Sequence, residues 1–114
     1  MREAKQTPHE QEALFGGVGT VVVWDLLGRL GAPPFSAVLS CELEPSGVVG
    51  KHVQQRDPEI LIGLSGDGAA EVDGGEHLLA AGAVIYLAHG QTLSIHNRSA
   101  EEPLRYMIIK AQTA

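Results

Sequence analysis

The sequence predicts an all-β domain of antiparallel strands, a sandwich or a barrel, on three observations. Short apolar runs recur at intervals of roughly 8–12 residues. Fourteen glycines and six prolines punctuate them. Sustained helical periodicity is nearly absent. With 114 residues, 44% of them hydrophobic and 19% charged, the chain has the makeup of one ordinary globular domain. That length buries a core without disulfides or metal.

Taken in order, residues 1–15 hold few apolar anchors and are expected to form an N-terminal arm, frayed or docked on a partner subunit. A barrel domain over residues 16–114 follows. Its strands are expected at 20–25, 36–43, 50–54, 59–64, 69–72, 77–79, 83–87, 92–97 and 104–110. One stretch is ambiguous: VWDLLGRL, at 23–30, suits a helical turn as well as a strand end. Turn signals separate the runs, among them Pro45-Ser46-Gly47, Arg56-Asp57-Pro58, Ser65-Gly66-Asp67-Gly68 and Ala81-Gly82. Asp73-Gly74 between AAEV and EHLL is a hairpin signal, because both central residues of such a turn need positive φ.

A formal charge of −6, with eight scattered Lys and Arg, argues against nucleic acid or an anionic membrane surface as partner. No apolar stretch approaches membrane-spanning length, and the polar start does not read as a signal peptide. Cys41 is the single cysteine, so no internal disulfide forms, which fits a reducing cytoplasm. A cytoplasmic location is expected.

The segment PSGVVGKHVQQRDPEILIGLSG contains His52, Gln54, Glu59 and Gly66, and GAVIYLAHGQTLSIHN contains Gly82, Ala88, Gly90, Leu93 and Asn97. Their spacing resembles the two motifs of the cupin superfamily. The first is Gly, five residues, His, one, His, three or four, Glu, six, Gly. The second is Gly, five, Pro, one, Gly, two, His, three, Asn. His52, Glu59, Gly66, Gly82, Gly90 and Asn97 match, six of ten positions. Ser46 stands at the leading Gly, Gln54 at the second His, Ala88 at the Pro and Leu93 at the motif-two His.

The resemblance implies a single-domain cupin barrel, a jelly roll of two antiparallel sheets. It also implies a homodimer, by family habit and because apolar terminal strands would otherwise leave unpaired edges. In metal-binding cupins the motif histidines and glutamate converge on one divalent cation. Here the implied metal set is reduced to His52, Gln54 and Glu59, for iron, manganese, nickel or zinc, since Leu93 offers no donor. Strand geometry lets His52 and Gln54, two residues apart, face the same way. Glu59 opens the next strand opposite them.

Three functions follow as expectations. The first is a barrel binding a small, anionic or sugar-like molecule through His52, Gln54 and Glu59. The second is a metal-dependent dioxygenase, lyase or isomerase using that reduced site. The third is a vestigial barrel serving as an interaction module. Within the first, a metal-free enzyme would use Glu59 and His52 as an acid–base pair. Tyr86 and His89 are candidate residues at the pocket mouth, with packing and turn roles as alternatives. His96, three residues past Leu93, is expected on the opposite face. His77 is expected in solvent, and His9 carries no signal. Cys41, in phase with Leu39 and Leu43, is expected to pack inward as an inert thiol rather than react beside His52. Trp24, Phe15 and Phe35 read as core or dimer contacts, and Arg105 as an exposed ion-pair partner. Asn97, Gly66, Gly82 and Gly90 read as residues shaping turns and strand ends.

Overall fold

The computed structural model describes residues 7–28, 31–54 and 56–112. Among the described residues, ten strands form two antiparallel sheets. The larger has the order β1-β2-β3-β10-β5-β8, built from His9–Glu12, Thr20–Asp25, Phe35–Leu43, Leu104–Ala111, Glu59–Ser65 and Val84–Leu87. The smaller has the order β4-β9-β6-β7, built from Val48–Val53, Thr92–Asn97, Gly68–Val72 and Gly75–Leu79. From β3 to β10 the chain passes back and forth between the sheets, except at the β6-β7 hairpin, which lies wholly in the smaller one. This is the jelly roll that the resemblance implied, and the apolar runs and turns predicted its antiparallel strands. No helix among the described residues is long and apolar enough to cross a membrane.

Period-two alternation explains the core. Val21 and Val23, Cys41 and Leu43, Leu61, Leu104 and Tyr106 point inward from the large sheet, and Val49, Leu93 and Ile95 from the small one. All are buried, and burying each large aliphatic side chain stabilises the fold by about 1.5–3 kcal/mol. The Asp73-Gly74 turn is as predicted, with φ of 49° and 82° joining β6 to β7. Stretch 23–30 continues as a strand to Asp25, whose Oδ1 then accepts from the backbone of Leu27 and Gly28. Residues 29 and 30 lie outside the described residues.

Residues 1–6 of the expected arm lie outside the described residues, and the rest of it forms a strand and a turn. His9–Glu12 pairs with β2 as an edge strand although all four residues are exposed. Backbone pairing alone holds it, so no apolar pattern marks it in the sequence. A turn at Leu14–Gly16 follows, with Ala13 and Phe15 in the left-handed region. Val18 then exchanges two backbone hydrogen bonds with Val48, of 2.8 and 2.7 Å. This segment is a strap that ties the edge of the large sheet to β4 of the small one.

Candidate functional site

A cavity of about 650 Å³ opens between the sheets, within the usual range for small-molecule sites. His52, Gln54 and Glu59 all line it, and each arrives by a different local device. In β4 the register slips between Val49, opposite Ile95, and His52, opposite Leu93. Three residues there match two on β9, the count of a β-bulge. Regular alternation from Val49 would have put Lys51 opposite Leu93. The bulge brings His52 there instead.

His52 is held on two sides. Its Nδ1 lies 3.0 Å from the Gly50 carbonyl, which assigns the proton to Nδ1 and leaves Nε2 as acceptor in the neutral ring. Phe15 stacks on it, with centroids 4.0 Å apart and planes at 16°. Burial lowers the His52 pKa from its ordinary value. Phe15 is therefore part of the cavity wall and, at 54% exposure, lies outside the core. Phe35 is exposed, and Trp24 sits half-buried on the outer face.

Gln54 is buried, its Nε2 donating to the Asp57 carbonyl at 3.0 Å and its backbone bonded to Gln91 and Gly90. Glu59, the first residue of β5, is only 3% exposed. Burial pushes its pKa above the usual carboxylate range, against the opposing pull of Lys110 and the Gln54 amide. Its Oε1 lies 3.9 Å from Lys110 Nζ. Its Oε2 has no hydrogen-bond partner among the described residues.

Lys110 and Tyr106 are site residues that sequence reasoning missed. The signal was present: Tyr106, Ile108 and Lys110 share the inward parity of β10, and Lys110 is in register with Glu59. Tyr106, itself buried, lies opposite Cys41. Burial pushes the Cys41 thiol up to about 12, the condition of an inert packed cysteine.

Two roles were open to Tyr86 and His89, and neither residue lines the cavity among the described residues. In β8 the inward side chains are Ile85 and Leu87, so alternation turns Tyr86 outward, where it is 63% exposed. His89 sits exposed in the turn after β8. His96 faces away from Leu93, 3.5 Å from Ser94 Oγ, and His77 is exposed. Arg105 pairs with Glu42 at 2.9 Å. Asn97 Nδ2 donates to the carbonyls of Leu43, Glu44 and Glu102 and braces three chain segments.

The donor set fits a tightly held divalent cation poorly. No group of three His, Cys, Asp or Glu converges among the described residues. Leu93, 1% exposed, fills the place opposite His52. Gln54 offers only a neutral amide oxygen, a weak donor for such a cation. The Lys110 ammonium already stands beside the Glu59 carboxylate, and it would repel a second cation.

Fold and site together define a small antiparallel barrel with a cavity inside it. The family model described as the cupin domain matches residues 39–110, and the chain belongs to that family. No curated protein matches it in sequence. In structure it is similar to a predicted oxalate decarboxylase of Thermotoga maritima, with TM-score 0.89, 23% identity and 99% of both chains covered. It is also similar to the Cnp3 cupin domain of Schizosaccharomyces pombe, with TM-score 0.74, 16% identity and coverage of 92% of this chain and 69% of that one. A sugar phosphate isomerase of the cupin superfamily from Silicibacter pomeroyi has TM-score 0.67 and 20% identity, with coverage of 82% and 60%. Identities this low establish a shared fold and no shared chemistry.

With the resemblance established, Ser46 is accounted for. It has φ of 61°, the conformation that glycine adopts most readily at that motif position.

Proposed function

We propose that this cupin barrel binds a small molecule in its interior through His52, Gln54 and Glu59, without a tightly held metal. One observation carries the reading: a carboxyl group buried to 3% exposure, with one oxygen unpartnered, in the wall of a cavity of about 650 Å³. An unsatisfied buried polar atom costs about 1–3 kcal/mol. A barrel with only a packing role would be more stable with an apolar residue there. That cost argues against a vestigial module. The chain is also proposed to act as a homodimer.

The test combines elemental analysis with binding. Metal per chain is measured in untagged protein before and after mild chelation, then after adding iron, manganese, nickel or zinc. The expected content is far below one per chain in every case. Compounds that perturb the NMR signals of Leu93 and Ile95 should lose affinity in His52→Ala and Glu59→Gln. Near-stoichiometric metal, lost on replacing His52 or Glu59, would overturn the reading in favour of a metal-dependent enzyme.

A further inference from the structure

A molecule filling this barrel meets few free polar groups. Tyr106 is buried opposite Cys41, Gln54 Nε2 is spent on the Asp57 carbonyl and His52 Nδ1 on the Gly50 carbonyl. Val21, Val23, Leu39, Val49, Ile95 and Ile108 make up much of the rest of the cavity lining. A sugar carries hydroxyls around its whole ring. Against such a wall most of them would leave water without finding a partner. Besides the His52 Nε2 and Gln54 Oε1 acceptors and the Arg56 and Asp57 side chains, the wall offers one adjacent acceptor and donor. Glu59 has an unpartnered oxygen, and beside it the Lys110 ammonium, with a side chain 36% exposed, retains donors.

We propose that the ligand has an apolar aliphatic or aromatic body and a single hydroxyl head, which donates to Glu59 and accepts from Lys110. The inference rests on the barrel interior being the binding site. A hydroxyl is the head that answers both groups at once. An ammonium head would face Lys110, and a carboxylate head would face Glu59. A hydroxyl also suits either protonation state of Glu59, donating to the carboxylate or accepting from the acid. An ether only accepts, so it finds a partner in Glu59 only while that group is protonated. Because burial raises the Glu59 pKa, this contrast falls closer to neutral pH than it would at an exposed carboxyl.

The test uses three probes, 2-naphthol, 2-methoxynaphthalene and methyl glucoside, titrated into the full chain by calorimetry. Their location is read from the methyl NMR signals of Leu93, Ile95 and Ile108. Naphthol should bind about tenfold or more tightly than its methyl ether, the difference expected for one hydrogen bond to a charged group. Methyl glucoside should leave the signals unmoved. In Glu59→Leu the naphthol advantage should fall below about twofold. The wild type supplies a second readout if that variant does not fold. There the advantage should grow as pH rises through the Glu59 titration. Equal affinity of naphthol and its ether at all pH values would overturn the proposal. Methyl glucoside binding inside the cavity more tightly than naphthol would overturn it while leaving an interior binding site in place. No cavity shift with any of the three would overturn both.

Discussion

A carboxyl group withdrawn from water resists ionisation, and Glu59 is withdrawn almost completely while keeping one oxygen unpartnered. Its folded pKa lies above its unfolded value. The linked stability is therefore fully present below the unfolded pKa and is lost as pH rises through the folded one. Glu59→Gln keeps the shape and cannot ionise. It should match the wild type in acid and exceed it by about 1–3 kcal/mol at neutral and alkaline pH, as read by denaturant unfolding across the range. His52 acts with the opposite sign. Burial lowers its pKa, so its contribution is present above its unfolded pKa and is lost as pH falls through the folded one. It is half exposed, and solvent screening keeps that limb shallow. A variant that lost stability at neutral pH would show that Glu59 is held by an interaction worth more than its desolvation.

At the scale of the element, the strap from Ala13 to Val18 positions the cavity's outermost wall. Gly50 permits it, since a Cβ there would collide with the Phe15 carbonyl oxygen and the Gly17 nitrogen. Gly50→Ala should push the strap off β4 and lower stability by about 1–3 kcal/mol. His52 should then lose the ring-current shift from Phe15 in its NMR spectrum, and its pKa should rise toward the ordinary value. Phe15→Ala should remove the ring-current shift at a smaller cost in stability. An unchanged His52 resonance in Gly50→Ala would show that the strap does not set the histidine's environment.

The strap also marks where the sequence was hard to read. Strands built on alternating apolar residues were legible to within a residue or two: 20–25 and 92–97 coincide with Thr20–Asp25 and Thr92–Asn97. The strand His9–Glu12 was not, because its four polar side chains contribute no burial. His52, Gln54 and Glu59 were legible from motif spacing. The bulge that turns His52 inward was not, because the register of β4 against β9 is a property of the pair rather than of either strand. The outward turn of Tyr86 was not legible without the β8 register.

Across the whole molecule, the outer face of the large sheet remains to be accounted for. Val84, Tyr86 and Leu64 are 67%, 63% and 44% exposed, and Ile60 is 38% exposed. Register extends the patch, since Ile62 lies beside Val84 and Met107, and Ile60 beside Tyr86 and Ile109. Nearby Arg105 and Glu42 neutralise one another at its border. A contiguous apolar face of this kind is a candidate surface for association. A second copy is the proposed occupant, because a two-fold axis sets a flat apolar patch against itself without requiring charge complementarity. Val84→Lys with Tyr86→Lys would place like charges across that axis while leaving the cavity side chains in place. Sedimentation equilibrium should find a dimer for the wild type and a monomer for the double variant, with the same circular dichroism spectrum. A wild type that is monomeric at high micromolar concentration would rule out the homodimer. A dimer that survives both lysines would move the interface elsewhere, with the β1 edge the next surface to probe.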